Sequence, residues 1–281
     1  MNNSNLPLIS VYMASKDRAE LLKKAIDSVL TQDYDNFELV VVDDGSSDAT
    51  PEVLASYVLK YCNVRYYRTE NNLGIAASRN KAIEKSIGEF VTGLDDDDYF
   101  CSNRLSSLMA AYDDKYAFVC SSAIWDFGDH SKVADSKKMV FNLSNQLSYN
   151  YATTQVLVRR ERILAIGGFD DNLVARLDYD AWTRLIIRYG SALRINVPSY
   201  VLSRIPGLKR LTNSEKNIIG HHQFLEKYRT LMSPKNLRNQ AFRSMYAQNI
   251  PFGIIELMLQ LWAGNMIAKL KYFIRVNFLR R

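Results

Sequence analysis

Through the first half of the chain, apolar runs of strand length alternate with longer segments whose apolar positions recur every three or four residues. That rhythm predicts βαβ units around a parallel sheet. "LISVYMA" (8–14) reads as the first strand, and in the following "RAELLKKAIDSVLTQ" the positions Leu21, Leu22, Ala25, Ile26, Val29 and Leu30 mark one buried helix face. "FELVVV" (37–42) is the second strand. It ends in "DDGSSDATPEV", where Ser47 or Asp48 is placed to cap the next helix and Pro51 falls in its first turn. "NVRYYR" (63–68) is the third strand, "GIAASRNKAIEKSIG" a helix closed by Gly88, and "EFVTGL" a fourth strand running straight into Asp95, Asp96, Asp97 and Asp98.

The alternation then loosens. "YAFVCSSAIWDF" (116–127) and "ATTQVLV" (152–158) read as strands, and "LDYDAWTRLIIRYG" (177–190) as a helix ending at Gly190. "PSYVLSRIPG" closes the sheet-forming part, and beyond about residue 212 the pattern is helical to the end. The expected organisation is an α/β domain over residues 1–205 and a basic helical extension over 206–281.

Charge sharpens that division. The formal net charge is +6, yet from Arg204 onward there are 14 Lys/Arg against 3 Asp/Glu, so the tail is strongly cationic and the remainder mildly acidic. Nearly half of the 281 residues are apolar, enough for a sizeable core. Cys62, Cys101 and Cys120 are odd in number and lack C-x-x-C spacing, which fits neither a disulfide framework nor a zinc site; reduced, mostly buried thiols are expected. "MNNSNLPLISV" lacks a basic segment followed by a long apolar one, so no cleaved secretory signal is expected and a cytoplasmic location follows.

In an open α/β sheet, ligands bind beyond the carboxyl ends of the strands. Asp43 and Asp44 end the second strand and Asp95 to Asp98 follow the fourth, so both acidic groups belong on one rim. Judged alone, they are either exposed acidic turns or the ligands of a hard divalent cation that completes its shell with water and phosphate. An EF-hand loop fails, because Tyr99 and Phe100 stand where a ligand and a glycine are required and Ser106 stands where Glu is. No Walker-A loop and no G-x-G-x-x-G follows any strand, which argues against P-loop and nicotinamide enzymes. An Asp-x-Asp phosphohydrolase keeps its nucleophile after the first strand, where this chain has "ASKDR".

The order of the blocks carries more. "SVYMASKDRAELLKKAIDSVLTQDYDNFELVVVDDGSSDAT", "NNLGIAASRNKAIEKSIGEFVTGLDDDD", "GGFDDNL" and "LDYDAWTRL" together closely resemble the family-2 glycosyltransferases of the GT-A nucleotide-sugar-binding fold, over roughly residues 8–205. The resemblance implies an inverting, metal-dependent transfer of a hexose or N-acetylhexosamine from a UDP-sugar to a saccharide or lipid-linked acceptor in cell-surface polysaccharide synthesis, with Mn²⁺ or Mg²⁺ as cofactor. It implies that Ala14, Ser15 and Asp17 line the nucleoside pocket, although Lys16 stands where an aromatic is common. Asp43 matches the carboxylate that accepts the base imide, which suits uracil because its N3–H is a donor. Arg79 matches an arginine near the nucleotide. Asp95 and Asp97 match the D-x-D pair that holds the metal, with Asp97 the direct ligand, Asp96 near the ribose and Asp98 orienting the segment. Asp178 falls six positions before Arg184, as the family's general base does, and Asp180 is the competing choice. Asp170 and Asp171 fall in the loop beside the acceptor. The alternative from another class is a sugar-nucleotide-binding protein that lost turnover.

In the tail, "IPFGIIELMLQLWAGNMIAKLKYFIRVNFLRR" carries Glu256, Gln260, Gly264, Asn265 and Lys269 as a narrow polar stripe on an otherwise apolar helix. No uninterrupted apolar run of spanning length exists. An in-plane helix on an anionic membrane surface is expected, against packing on the core or on a partner subunit. No nucleic-acid-binding motif accompanies the basic residues, so no nucleic acid partner is expected.

Overall fold

The computed structural model describes residues 6–134, 136–153, 155–207 and 214–278. In chain order the elements are β1 (Ile9–Ser15), α1 (Ala19–Leu30), β2 (Phe37–Asp43), α2 (Thr50–Lys60), β3 (Val64–Arg68), α3 (Ile75–Lys85), β4 (Phe90–Gly93), β5 (Tyr99–Phe100), α4 (Arg104–Ala110), β6 (Val119–Asp126), β7 (Ser131–Ala134) and β8 (Met139–Phe141). Then follow α5 (Leu143–Ser148), β9 (Val158–Arg159), α6 (Arg160–Ala165), α7 (Leu177–Tyr189), β10 (Ala192–Ser203), α8 (Ser214–Tyr228), α9 (Pro234–Gln248), α10 (Ile254–Trp262) and α11 (Met266–Phe278). The chain divides into two compact units. One comprises Met1–Phe141, Ala152–Asn172 and Leu177–Lys209, the other Asn142–Tyr151, Leu173–Arg176 and Arg210–Arg281.

In the first unit one sheet has the order β3-β2-β1-β4-β9, parallel except for β9, and a second has β5-β10-β6-β7 with β8 also paired to β10. Strands β1 and β2 are buried along almost their whole length, as apolar runs in a sheet covered on both faces should be. Helix α1 lays Leu22, Ala25, Ile26 and Val29 into the same core as Ile9, Val11, Leu39 and Val41. Because β1, β2 and β4 run parallel, with Ser15 level with Asp43 and Tyr12 level with Gly93, their acidic ends emerge on one edge.

Several local expectations are corrected. Helix α2 starts one residue later than expected, with Ala49 at its N-cap. Asp48 instead accepts from the Thr50 N–H at 2.9 Å and the Ala19 N–H at 3.1 Å, satisfying orphan donors at the starts of both α2 and α1. Gly88 does not close α3, which ends at an extended Ser86. A Cβ at Gly88 would sit 2.7 Å from the Ser10 nitrogen and 2.8 Å from the Leu8 carbonyl oxygen, so glycine is required by close packing against β1. Gly190, by contrast, does end α7, in the left-handed region at φ +92°. The strand expected over 152–158 shrinks to β9 and one bridge from Leu157 to Val119, because Thr153 turns left-handed and Gln155 is drawn into side-chain bonding; Thr154 lies outside the described residues. Cys62 is exposed, Cys101 half-buried and Cys120 buried, so only one of the three thiols is fully enclosed.

The second unit is helical. Its tail is two helices, broken at Gly264 and Asn265, both with positive φ. Part of the expected polar stripe lies on the inside: Gln260 and Lys269 are fully buried, while Asn265 is exposed, and Lys269 Nζ donates to Asn239 Oδ1 at 2.8 Å and to the Gln260 carbonyl at 2.7 Å. Around them pack Phe242, Phe252, Leu257, Tyr272 and Val276. Among the described residues, no helix is long and apolar enough to cross a membrane.

Gly88→Ala should destabilise the chain by roughly 1–3 kcal/mol, since backbone atoms stand where the methyl must go. The measurement is the urea midpoint at unchanged m-value, and an unshifted midpoint contradicts the packing argument.

Candidate active site

Each of the four consecutive aspartates is held by its own contact, which offsets part of their mutual repulsion. Asp95 meets the Arg79 guanidinium. Asp96, buried, accepts from the Ser15 hydroxyl at 2.7 Å, while Asp97 pairs with Arg18 at 3.2 Å. Asp98 turns inward and accepts the Ser203 N–H at 2.9 Å, anchoring the turn to β10. Burial pushes the Asp96 carboxyl up to about 7, against the Ser15 hydrogen bond and the Arg18 charge.

Arg79, buried on α3, is a two-pronged clamp. One nitrogen binds Asp95 and the other donates to Asp178 Oδ1 at 2.9 Å, at the start of α7. Its guanidinium lies 5.3 Å from the Phe169 ring centroid. Phe169 is itself fixed by Asn80, which accepts its N–H at 2.7 Å and donates to its carbonyl at 2.8 Å. Gln155 closes the circuit: its Nε2 lies 3.4 Å from Asp95 Oδ1 and 3.3 Å from Asp178 Oδ1, while its Oε1 accepts the Tyr12 hydroxyl at 2.8 Å. Gly93 makes room, since a Cβ there would stand 2.6 Å from both Gln155 Oε1 and the Tyr12 ring. Arg104, fully buried, donates to the Gln155 carbonyl at 2.8 Å and stacks against Phe100 and Tyr200.

Asp178 keeps 28% of its side chain exposed, and its carboxyl is raised above the ordinary range. Burial is the main cause; the Asp95 charge adds to it, and Arg79 opposes both. A carboxylate so placed suits proton abstraction. Asp180 lies apart from this circuit. It is fully buried and bound at 2.7 Å by Arg184 Nε and Nη2, while Nη1 donates to the Ile166 carbonyl and Nη2 also to that of Gly168. It fastens the 166–168 loop to α7.

Asp43 is fully buried; its Oδ1 accepts the Ser46 N–H at 2.9 Å and its Oδ2 lies 3.3 Å from the Tyr66 hydroxyl. Ala14 and Ser15 are buried at the end of β1, and Asp17, exposed, is pinned by the Ser47 N–H at 2.7 Å. Asp170 forms a turn with Asn172, accepting its N–H at 3.1 Å, and Asp171 lies 3.4 Å from the Asn172 amide. Asp44, directly after Asp43, accepts from the Thr69 hydroxyl and from the Leu73 and Gly74 N–H groups.

Among the described residues there is no cluster of three or more His, Cys, Asp or Glu suited to a metal. Asp95 and Asp97 offer two hard, partly exposed carboxylates. That donor set fits Mg²⁺ or Mn²⁺ taking its other ligands from phosphate and water, and fits no all-protein cage.

Gln155, Tyr12, Tyr200 and Arg18 were not singled out from the sequence. The available signal was a lone amide inside the apolar run "QVLV" and a guanidinium directly after Asp17.

Comparison with known proteins bears on the whole first unit. The model of "Glycosyl transferase family 2" matches residues 10–168, more than half of the chain. The chain belongs to this family. "Putative colanic acid biosynthesis glycosyl transferase WcaA" of Escherichia coli (strain K12) is 31% identical over 255 residues, covering 87% of this chain and 90% of that protein. The "GalNAc(5)-diNAcBac-PP-undecaprenol beta-1,3-glucosyltransferase" of Campylobacter jejuni is 36% identical over 120 residues, covering 42% of this chain and 39% of that one. Among solved structures, S. aureus TarS in complex with UDP-GlcNAc superposes with a TM-score of 0.70 at 19% identity, over 95% of this chain and 81% of that one. Mannosyltransferase PcManGT from Pyrobaculum calidifontis, in complex with GDP-Man and Mn²⁺, has a TM-score of 0.58 at 15% identity, over the whole of this chain and 90% of that one. This family-2 member is a glycosyltransferase, and its fold is the GT-A type.

Removing the Asp180 carboxylate leaves Arg184 short of its charge partner. Asp180→Ala should therefore lower stability by about 3 kcal/mol, the lower end for breaking a buried pair, since Arg184 keeps its two carbonyls. Urea denaturation measures this, and a change below experimental error contradicts a fastening role.

Proposed function

We propose that the chain transfers a hexose or N-acetylhexosamine from a UDP-sugar to a hydroxyl of a saccharide or lipid-linked acceptor, inverting the anomeric carbon, in the assembly of cell-surface polysaccharide. The observation that carries this reading is the Arg79 clamp. It holds the Asp178 carboxylate beside Asp95, so a proton acceptor stands next to the acidic turn where the diphosphate is expected. The names of WcaA and the Campylobacter glucosyltransferase support a polysaccharide or lipid-linked acceptor, and the UDP-GlcNAc complex of TarS supports the donor class.

In the proposed reaction the acceptor oxygen attacks the anomeric carbon as the carbon–oxygen bond to the diphosphate breaks. The bonding pair leaves with UDP, and the acceptor proton passes to Asp178 Oδ2, the oxygen not held by Arg79. Asp95 and Asp97 would hold the divalent ion, which when bound neutralises charge on the departing diphosphate. Asp43, with Ala14, Ser15 and Asp17 nearby, receives the base; its Oδ2 accepts the imide once the Tyr66 hydroxyl gives way. Asp96 faces the ribose, and Asp170 and Asp171 lie toward the acceptor sugar.

Asp178→Asn preserves shape but removes the base. Transfer should fall by about 10²-fold to 10⁴-fold while calorimetric affinity for UDP plus Mn²⁺ stays level. In the wild-type protein the acid limb of kcat/KM should lie above the ordinary aspartate value of about 3.9, because the raised carboxyl must lose its proton before the rate climbs. A mild rate loss in Asp178→Asn would remove the base from this position.

Chelation gives a separate test. Metal-free protein should be inactive and recover with Mn²⁺ or Mg²⁺, and Asp97→Ala should weaken UDP binding only when the ion is present. Full turnover by protein shown to be metal-free contradicts the role given to Asp95 and Asp97.

A further inference from the structure

Helices α10 and α11 are built inside out for a water-facing surface. One polar row points inward, where Lys269 and Gln260 are fully buried and Glu256 pairs with Arg238 at 3.1 Å, while Lys271, Arg275 and Asn277 stay exposed. Leu257, Tyr272 and Val276 pack inside, but a second set of apolar residues points outward. On α10, Ile254, Ile255, Met258 and Trp262 form one exposed face, with Ile255 at 77% and Trp262 at 69% exposure. On α11, Ile267, Leu270, Ile274 and Phe278 do the same. Leaving a contiguous apolar surface in water is unfavourable by about 25 cal/mol per Å², and scattered single exposures do not explain a continuous face.

The charges indicate what covers it. Between Lys235 and Phe278 there are six Lys/Arg and one acidic residue, Glu256, which Arg238 already engages. Lys271 is exposed four residues after Ile267 and three before Ile274, in the middle of the outward apolar face, and exposed Arg275 adjoins it. A protein partner closing over that face would have to bury Lys271 among apolar groups. At a lipid surface the lysine stem lies along the acyl boundary while its ammonium reaches anionic headgroups. Helices of 9 and 13 residues measure roughly 14 and 20 Å at 1.5 Å per residue, too short for a hydrocarbon core of about 30 Å.

We infer that the α10–α11 pair docks on an anionic phospholipid surface, both helices lying in the interface with the Ile255/Trp262 and Ile267/Phe278 faces immersed and Lys271 at the headgroups. This rests on the second unit alone and does not depend on the sugar-transfer reading.

The test uses the full chain and vesicles of phosphatidylcholine with or without phosphatidylglycerol. The protein should co-sediment with the anionic vesicles at least about tenfold more strongly, and less so as salt rises. Ile255→Asp with Ile267→Asp should abolish binding by more than about tenfold while leaving circular dichroism and the melting temperature unchanged, because both positions are exposed. Brominated lipid should quench wild-type fluorescence, and Trp262→Phe should remove that quenching while still co-sedimenting; this readout needs no folding of the double variant. The inference is overturned by equal binding to both vesicle types, by full retention of binding in the double variant, or by absence of Trp262 quenching. It is overturned equally by a solution dimer that the same substitutions dissolve in a protein that ignores vesicles, which would make the face an interface between copies.

Discussion

The site depends on one buried guanidinium. Arg79 holds Asp95 from the turn after β4 and Asp178 from the start of α7, two carboxylates that repel each other and come from distant parts of the chain. A single planar fork suits this task because its donors are fixed in geometry and its charge is permanent. Everything around it serves that position: Phe169 beneath the guanidinium, Asn80 setting Phe169, Gln155 spanning the same two carboxylates, and Arg104 holding the Gln155 backbone. Taking Arg79 away would leave Asp95 and Asp178 sharing the Gln155 amide without the guanidinium that offsets their charges.

The parallel register supplies the rest. Strands ending level with one another deliver Ser15, Asp43 and the aspartate turn to a common edge. There, protein donors stabilise the acidic groups: a serine hydroxyl for Asp96, the Arg18 guanidinium for Asp97, and backbone N–H groups for Asp98 and Asp43. The two carboxylates that retain partial exposure and hard-donor character, Asp95 and Asp97, are those that the family resemblance assigns to a metal.

What could be read from the chain follows from what periodicity encodes. Strands β1 to β4 and helices α1, α3 and α7 announce themselves by spacing, and the acidic strand ends with them. Periodicity identifies a face without saying which side is inside. The Glu256, Gln260 and Lys269 stripe was therefore visible as a stripe, yet its burial depends on Asn239 and Arg238, which come from another helix. Gly88 resembled a helix terminator because glycine commonly is one, whereas its requirement comes from the β1 backbone, far away in sequence. Gln155 was hidden inside an apolar run, and only the Tyr12, Asp95 and Asp178 contacts reveal it. Asp178 and Asp180 are equivalent as letters; burial against Arg184 separates them.

The central claim, that Arg79 tunes the Asp178 carboxylate for proton transfer, is tested most directly by the pH dependence of kcat/KM in Arg79→Gln. The guanidinium opposes the upward push of burial and of Asp95, so its removal should raise the Asp178 carboxyl further and move the acid limb to higher pH, with a lower rate on the plateau. An acid limb at the wild-type position would contradict the account, because the group that titrates in catalysis would then not be the one that Arg79 holds.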